Sequence, residues 1–328
     1  MTESTTTVPL IRLDALPPAE IAEKAESVGV TKANLDFLTM FGLAILAGAF
    51  IAVGAIFMTT ITTGSFTSTL AGAKDAASTT ALPFGITKLL GGLVFCVGLI
   101  LVVVAGAELF TGNNLIVMAF MNGKVSLAKL LRNWVIVWIG NFVGAVATAA
   151  LMFLCQQYTF ASGAVGKNVL TIANSKCSLG FVQAIALGIM CNALVCLAVW
   201  LCYSCRTTTD KILAIVFPIT AFVAAGFEHS VANMYFIPMG LLIKMFDPAF
   251  VDKAGSFANL TWSNFFLANL LPVTIGNIIG GAGLVGLVYW FIYLRPKRAE
   301  KSVSSAAQGH QLKTSPVAAE ASGRGRRR

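Results

Sequence analysis

The nine residues Ala105-Gly106-Ala107-Glu108-Leu109-Phe110-Thr111-Gly112-Asn113 decide the fold, because their frame returns 120 residues later as Ala225-Gly226-Phe227-Glu228-His229-Ser230-Val231-Ala232-Asn233. Each copy sets one carboxylate in the middle of an apolar run that is too long for one crossing. Leu89 to Met121 is 33 residues, and Ile212 to Met245 has a similar excess. A helix of that length measures about 50 Å, against a hydrocarbon core of about 30 Å. A midplane acid adds about 2.5–3.5 kcal/mol on the insertion scale. A break in each helix resolves both difficulties, because irregular backbone is tolerated at membrane depth where it lines a cavity.

The following spans also match. Asn133-x6-Gly140-Asn141-x2-Gly144 recurs 136 residues on as Asn269-x6-Gly276-Asn277-x2-Gly280. The first and fourth spans align more weakly, Ala44-Ile45-x2-Gly48 against Ala184-Ile185-x2-Gly188, an offset of 140. Two halves of three spans each follow, about 37–155 and 180–293. Three is odd, so the halves face opposite ways. Inverted repeats with helices broken at corresponding positions mark a transport pathway near the bilayer midplane. The expected fold is an all-α membrane protein, a six-transmembrane-helix bundle whose second and fifth helices are broken.

Composition agrees. Of 328 residues, 57% are hydrophobic and 11% charged, whereas soluble domains carry about 25% charged residues. That excludes a water-soluble enzyme and a disordered binder. Apolar segments run over roughly 37–61, 86–121, 134–155, 180–203, 212–243 and 264–293. The formal charge is +9, but residues 295–328 hold nine bases and two acids, which leaves +2 for the other 294 residues. The excess reads as a disordered cytoplasmic tail beside anionic headgroups, not a nucleic-acid surface. Placing both termini together puts 17 Lys and Arg on their side and 6 on the other, so both ends are expected in the cytoplasm.

The domain plan is a cytoplasmic segment 1–36, a channel domain 37–294 and the tail 295–328. The first segment shows no signal-peptide pattern. A short amphipathic helix is expected from Pro17 and Pro18, with Ile21, Ala25 and Val28 on one face, lying in the membrane interface. Cys202 and Cys205 have CxxC spacing without further ligands nearby, so no metal is expected. Gly281-Ala282-Gly283-Leu284-Val285-Gly286 matches the dinucleotide fingerprint as a string, but it follows no strand and lies within a membrane span. Gly140 and Gly144, and Gly276 and Gly280, are spaced for close helix contact.

Only two histidines are present, His229 and His310. His310 falls in the tail. His229 falls in the second break, where an ionisable group is functional by default. Thr111 stands at nearly the equivalent place in the first break, so a hydroxyl and an imidazole form a small polar island. Free amides at the broken-helix N-termini add positive partial charge, which favours an anion.

The strings AELFTGNN, GIMCNALVCLAVW and GFEHSVANM resemble signatures of the formate/nitrite transporter family, and the resemblance covers roughly residues 18–295. Phe84 to Val104, with the long 62–88 connection, looks most like its formate channel branch. The resemblance implies a homopentamer of aquaporin-like protomers in the inner membrane, each with its own pore for a small monovalent anion: formate, with nitrite, acetate, lactate or hydrosulfide as alternatives. It implies that His229 is the central pore histidine and Thr111 its partner. Leu99, Leu109, Phe110 and Val195 would form the cytoplasmic constriction, and Phe95 and Phe222 the periplasmic one. Lys176 would attract anions at the vestibule, with Asn192 and Asn277 lining the pore nearby. Glu108 and Glu228 orient this machinery. The expected activity is pH-dependent transport with no cofactor and no enzymatic step, because a carboxylate entering a dry ring favours its neutral acid. A membrane haem enzyme needs a second membrane histidine, and the paired NPA motifs of neutral-solute channels are absent.

Overall fold

The computed structural model describes residues 14–64 and 82–295. The first 13 residues, the middle of the 62–88 connection, and the basic tail from residue 296, including His310, lie outside the described residues. The described secondary structure is helical: α1 (Pro18–Ala33), α2 (Phe37–Ile61), α3 (Phe84–Gly106), α4 (Phe110–Met121), α5 (Leu127–Leu154), α6 (Ala164–Cys177), α7 (Phe181–Ser204), α8 (Thr208–Ala224), α9 (Ser230–Phe246), α10 (Pro248–Ala254) and α11 (Asn264–Leu294).

Five of these helices, α2, α3, α5, α7 and α11, are long and apolar enough to cross a membrane. The remaining crossing is divided between α8 and α9, of 17 residues each, which are separated by the 225–229 break. After α9 the chain turns through 109° into α10 and leaves the crossing. Hydrogen-bonded caps start several helices. Asp36 accepts from Thr39 N at 3.0 Å, and Thr207 and Asp210 cap each other reciprocally. Both breaks depend on glycine. Gly106 and Gly226 have φ of 83° and 74°, in the left-handed region, where a Cβ would be strained. The last turn before the first break, Leu101–Gly106, is a π-helical turn, a form common at functional sites.

The repeat is visible as recurring hydrogen bonds. Glu108 N donates to Leu43 O at 3.2 Å, and Glu228 N donates to Leu187 O at 3.3 Å. A Cβ on Gly144 would collide with Ile45 O, and one on Gly280 with Ile189 O. Leu43 therefore pairs with Leu187 and Ile45 with Ile189. The offset between α2 and α7 is 144, not the 140 suggested by Ala44-Ile45-x2-Gly48, a slip of about one helical turn. The same offset carries α1 onto α6, an element the sequence reading left unassigned. Asn133 Nδ2 donates to Lys32 O near the start of α5, while Asn168 Nδ2 of α6 donates to Thr59 O near the end of α2. Helices α1 and α6 therefore mark opposite faces, and α2 and α7, which follow them, run in opposite directions.

Helix α1 does not lie free in the interface. Its buried face is Ile21, Ala22, Ala25, Glu26, Gly29 and Ala33, and a Cβ on Gly29 would touch Ile116 and Ala119 of α4 at 3.4 Å. Glu26 is buried and binds Asn122 and Lys124, just past the end of α4. The apolar stripe is covered by protein, and Val28 stands at its margin, half-buried.

Candidate functional site

Both half-helices begin from an extended residue. Leu109, before α4, has φ −104° and ψ 123°; His229, before α9, has φ −107° and ψ 114°. The next amide is capped in each case by an asparagine. Phe110 N donates to Asn141 Oδ1, and Ser230 N to Asn277 Oδ1, both at 2.9 Å. Asn141 lies about half-way along α5 and Asn277 about half-way along α11, so the two starts meet near mid-height. Two of the amides expected to face an anion are thus already occupied. Leu109, rather than Thr111, is the repeat equivalent of His229, and Thr111 corresponds to Val231.

Thr111 nevertheless reaches across. Its Oγ1 lies 3.0 Å from His229 Nε2. The other ring nitrogen, Nδ1, accepts from Ala232 N at 3.0 Å. A backbone amide can only donate, so Nδ1 carries no proton, and the neutral ring carries its proton on Nε2. His229 therefore donates to the Thr111 oxygen. The hydroxyl proton of Thr111 has no protein acceptor among the described residues, and the side chain is fully buried and does not itself line the cavity on the α6 face.

Apolar side chains close around this pair. The Phe95 and Phe222 rings meet edge-on with centroids 5.8 Å apart, and Phe222 stacks on His229 at 6.0 Å. Leu99, Leu109, Phe110 and Val195 belong to the same buried apolar cluster, none more than 3% exposed.

The two acids lie just outside the pair, in mirrored networks. Glu228 Oε1 accepts from Lys176 Nζ at 2.8 Å, and Glu228 Oε2 accepts from Asn233 and Asn269 at 2.6 and 3.2 Å. Glu108 Oε1 accepts from Lys32 Nζ at 2.7 Å, and Glu108 Oε2 from Asn113 at 2.7 Å. Asn113 and Asn233 also donate to Asn133 and Asn269 respectively. Lys32 is the residue the sequence reading missed. Its signal is Lys32-x4-Phe37, repeated as Lys176-x4-Phe181.

A cavity of about 700 Å³ opens on the α6 face. Lys88, Lys167, Lys176, Glu228, Phe95, Phe222 and His229 contribute to its lining. Asn192 and Asn277 do not. Both are fully buried, and their amides are spent on the chain: Asn192 Nδ2 lies 3.2, 3.0 and 2.7 Å from Thr111 O, Asn114 Oδ1 and Asn277 O, and Asn277 Nδ2 donates to Gly188 O and Glu228 O. They hold the breaks in place. Among the described residues no cluster of three or more His, Cys, Asp or Glu side chains could hold a metal ion.

A family model described as formate/nitrite transporter matches residues 19–291. The chain is 48% identical over 287 residues to the formate channel FocA of Escherichia coli K12, covering 86% of this chain and 96% of that protein. It is 42% identical over 278 residues to the formate channel FocA of Haemophilus influenzae, covering 83% and 93%. A solved pentameric formate channel with formate bound superposes with a TM-score of 0.71 at 43% identity, covering 79% of this chain and 98% of the other. An FNT family ion channel superposes with a TM-score of 0.68 at 27% identity, covering 83% and 98%.

Proposed function

The chain belongs to the formate/nitrite transporter family, and we propose that it carries formate and related small monovalent anions across the cytoplasmic membrane. In this reading it is an integral membrane homopentamer of aquaporin-like protomers, with one pore per protomer and both termini in the cytoplasm. The α1 face is then cytoplasmic and the α6 cavity periplasmic. The domain plan is a 1–36 segment, a channel over 37–294 and a tail over 295–328. It transports without altering its substrate, uses no cofactor, and is not an enzyme.

The observation that carries this reading is the buried Thr111–His229 pair, which in this reading lies between one apolar collar of Phe95 and Phe222 and another of Leu99, Leu109, Phe110 and Val195. An anion entering between Phe95 and Phe222 loses water, and desolvation favours the protonated acid. The Thr111 hydroxyl is oriented by His229 Nε2–H and presents its own proton to a carboxylate or carboxylic oxygen. His229 thus acts through Thr111 as well as facing the cavity directly. Leu99, Leu109, Phe110 and Val195 must separate for passage toward the α1 face. Lys176 and Glu228 on one side, and Lys32 and Glu108 on the other, flank the entrances, while Asn192 and Asn277 hold the path in shape.

Uptake of labelled formate, nitrite, acetate, lactate and hydrosulfide into proteoliposomes, at two pH values, tests the proposal. Formate should enter well above the rate of empty liposomes, and faster at the lower external pH. No formate flux overturns it, and flux independent of pH between about 5 and 8 removes the proton from the scheme.

A further inference from the structure

The cavity on the α6 face is lined by three lysines, Lys88, Lys167 and Lys176, and by one acid among the described residues, Glu228. Lys176 is not a free charge. Its ammonium lies 2.8 Å from Glu228 Oε1 and 5.3 Å from the centroid of the Phe236 ring. Seen from more than a few ångströms away, such a pair is a dipole and contributes little net field. The other two lysines have no acidic partner among the described residues. Lys88, half-buried in α3, stands 5.5 Å from the Phe84 ring centroid. Lys167, exposed on the second turn of α6, extends from the same wall. In the connection outside the described residues the sequence places Lys74 and Asp75, one charge of each sign.

We propose that Lys88 and Lys167 supply the anion-collecting charge of this vestibule, and that Lys176, neutralised by Glu228, is a positioning residue at its inner end. A concave, low-dielectric wall bearing two unpaired charges of one sign concentrates anions and raises their rate of entry. An ion pair buried at the end of that cavity cannot do so. The proposal deepens the anion-transport reading and rests on it.

Two measurements test it. In proteoliposomes, Lys88→Gln/Lys167→Gln should raise the apparent KM for formate about 3- to 10-fold at an ionic strength near 20 mM, with maximal flux unchanged. The difference should shrink to under about twofold near 0.5 M inert salt, where the screening length is a few ångströms. Lys167→Arg should behave as the wild type. The second measurement needs no transport. In a Cys155→Ser/Cys205→Ser background, which removes the exposed and half-buried thiols, Thr171→Cys, at a position lining the cavity, is labelled by anionic and cationic methanethiosulfonate reagents. The ratio of anionic to cationic rates should fall several-fold in the Lys88→Gln/Lys167→Gln protein. It should hold in a Lys176→Gln/Glu228→Gln protein. An unchanged ratio in the first variant, or an equal fall in the second, overturns the proposal. A wild type that labels with the expected ratio but carries no formate overturns the transport reading alone.

Discussion

Thr111 Oγ1 accepts a hydrogen bond from His229 Nε2 at 3.0 Å, while the opposite ring nitrogen is held by Ala232 N. The two side chains come from different breaks and form one unit. Replacing Thr111 with valine removes the hydroxyl that meets the substrate in the proposed reading and leaves a buried N–H unpaired, so formate flux should fall and stability should drop by about 1–3 kcal/mol. Thr111→Ser keeps the oxygen and should retain most of the flux. Equal flux in the valine and wild-type proteins would separate this hydroxyl from transport.

His229 has two jobs that can be pulled apart. Its Nδ1 caps α9 through Ala232 N, and its Nε2 serves Thr111. Asparagine is a good N-cap residue, but too short to reach Thr111. His229→Asn should therefore unfold near the wild-type temperature and transport poorly. His229→Ala should lose transport and also about 1 kcal/mol of stability. Thermal unfolding of the detergent-solubilised oligomer, read beside proteoliposome flux, distinguishes the two.

The mirrored ion pairs differ in exposure. The Lys176 side chain is 16% exposed and that of Lys32 is 23%, while both acids are at 7%. Removing one partner of a buried pair strands the other charge, which costs about 3–5 kcal/mol when burial is complete. Lys176→Met should cost about 2 kcal/mol, reduced by its access to water, and Lys32→Met somewhat less. Adding Glu228→Gln to Lys176→Met should recover part of the loss. A double-mutant cycle that shows simple additivity would mean the pair is not coupled.

The breaks were legible in the sequence because chemistry there demands identity. Gly106 and Gly226 must adopt positive φ, Glu108 and Glu228 each need an asparagine five residues on, and Asn141 and Asn277 each cap an amide. Such residues recur by type, so their frames repeat openly in the sequence. Helices α1 and α6 share a place in the fold but little sequence, since their buried faces need only small or apolar side chains. The offset of 140 misled because a slip of four residues keeps nearly the same helix face. Three-dimensional contacts select 144: Gly144 meets Ile45 where Gly280 meets Ile189, and Glu108 N reaches Leu43 O where Glu228 N reaches Leu187 O. The networks that occupy Asn192 and Asn277 depend on three-dimensional neighbours such as Gly188 O and Thr111 O, which no local pattern announces.

Asn141 and Asn277 each use the amide oxygen for one backbone N–H and the amide nitrogen for two backbone carbonyls: Ala44 O and Glu108 O, or Gly188 O and Glu228 O. Aspartate keeps the acceptor but sets a second oxygen against those carbonyls. Asn141→Asp and Asn277→Asp should therefore both be destabilising, each by more than about 2 kcal/mol. The two losses should be similar because the sites are repeat equivalents. A wild-type unfolding temperature in either variant would contradict the hydrogen-bond assignment.

Close backbone approach makes the last prediction. Gly144 lies on α5 against the carbonyl of Ile45 on α2, and Gly280 lies on α11 against that of Ile189 on α7. A backbone carbonyl cannot move aside as a flexible side chain can. Alanine at either site must push two membrane helices apart and should cost about 1–3 kcal/mol or more, lowering the yield of folded oligomer. Gly42, on the same helix as Ile45, has open space around its Cβ position. There alanine meets nothing and gains helix propensity of up to about 1 kcal/mol. Gly42→Ala should therefore unfold at or above the wild-type temperature, while Gly144→Ala and Gly280→Ala unfold below it. The opposite order would mean that the helices are not held at glycine-to-carbonyl distance.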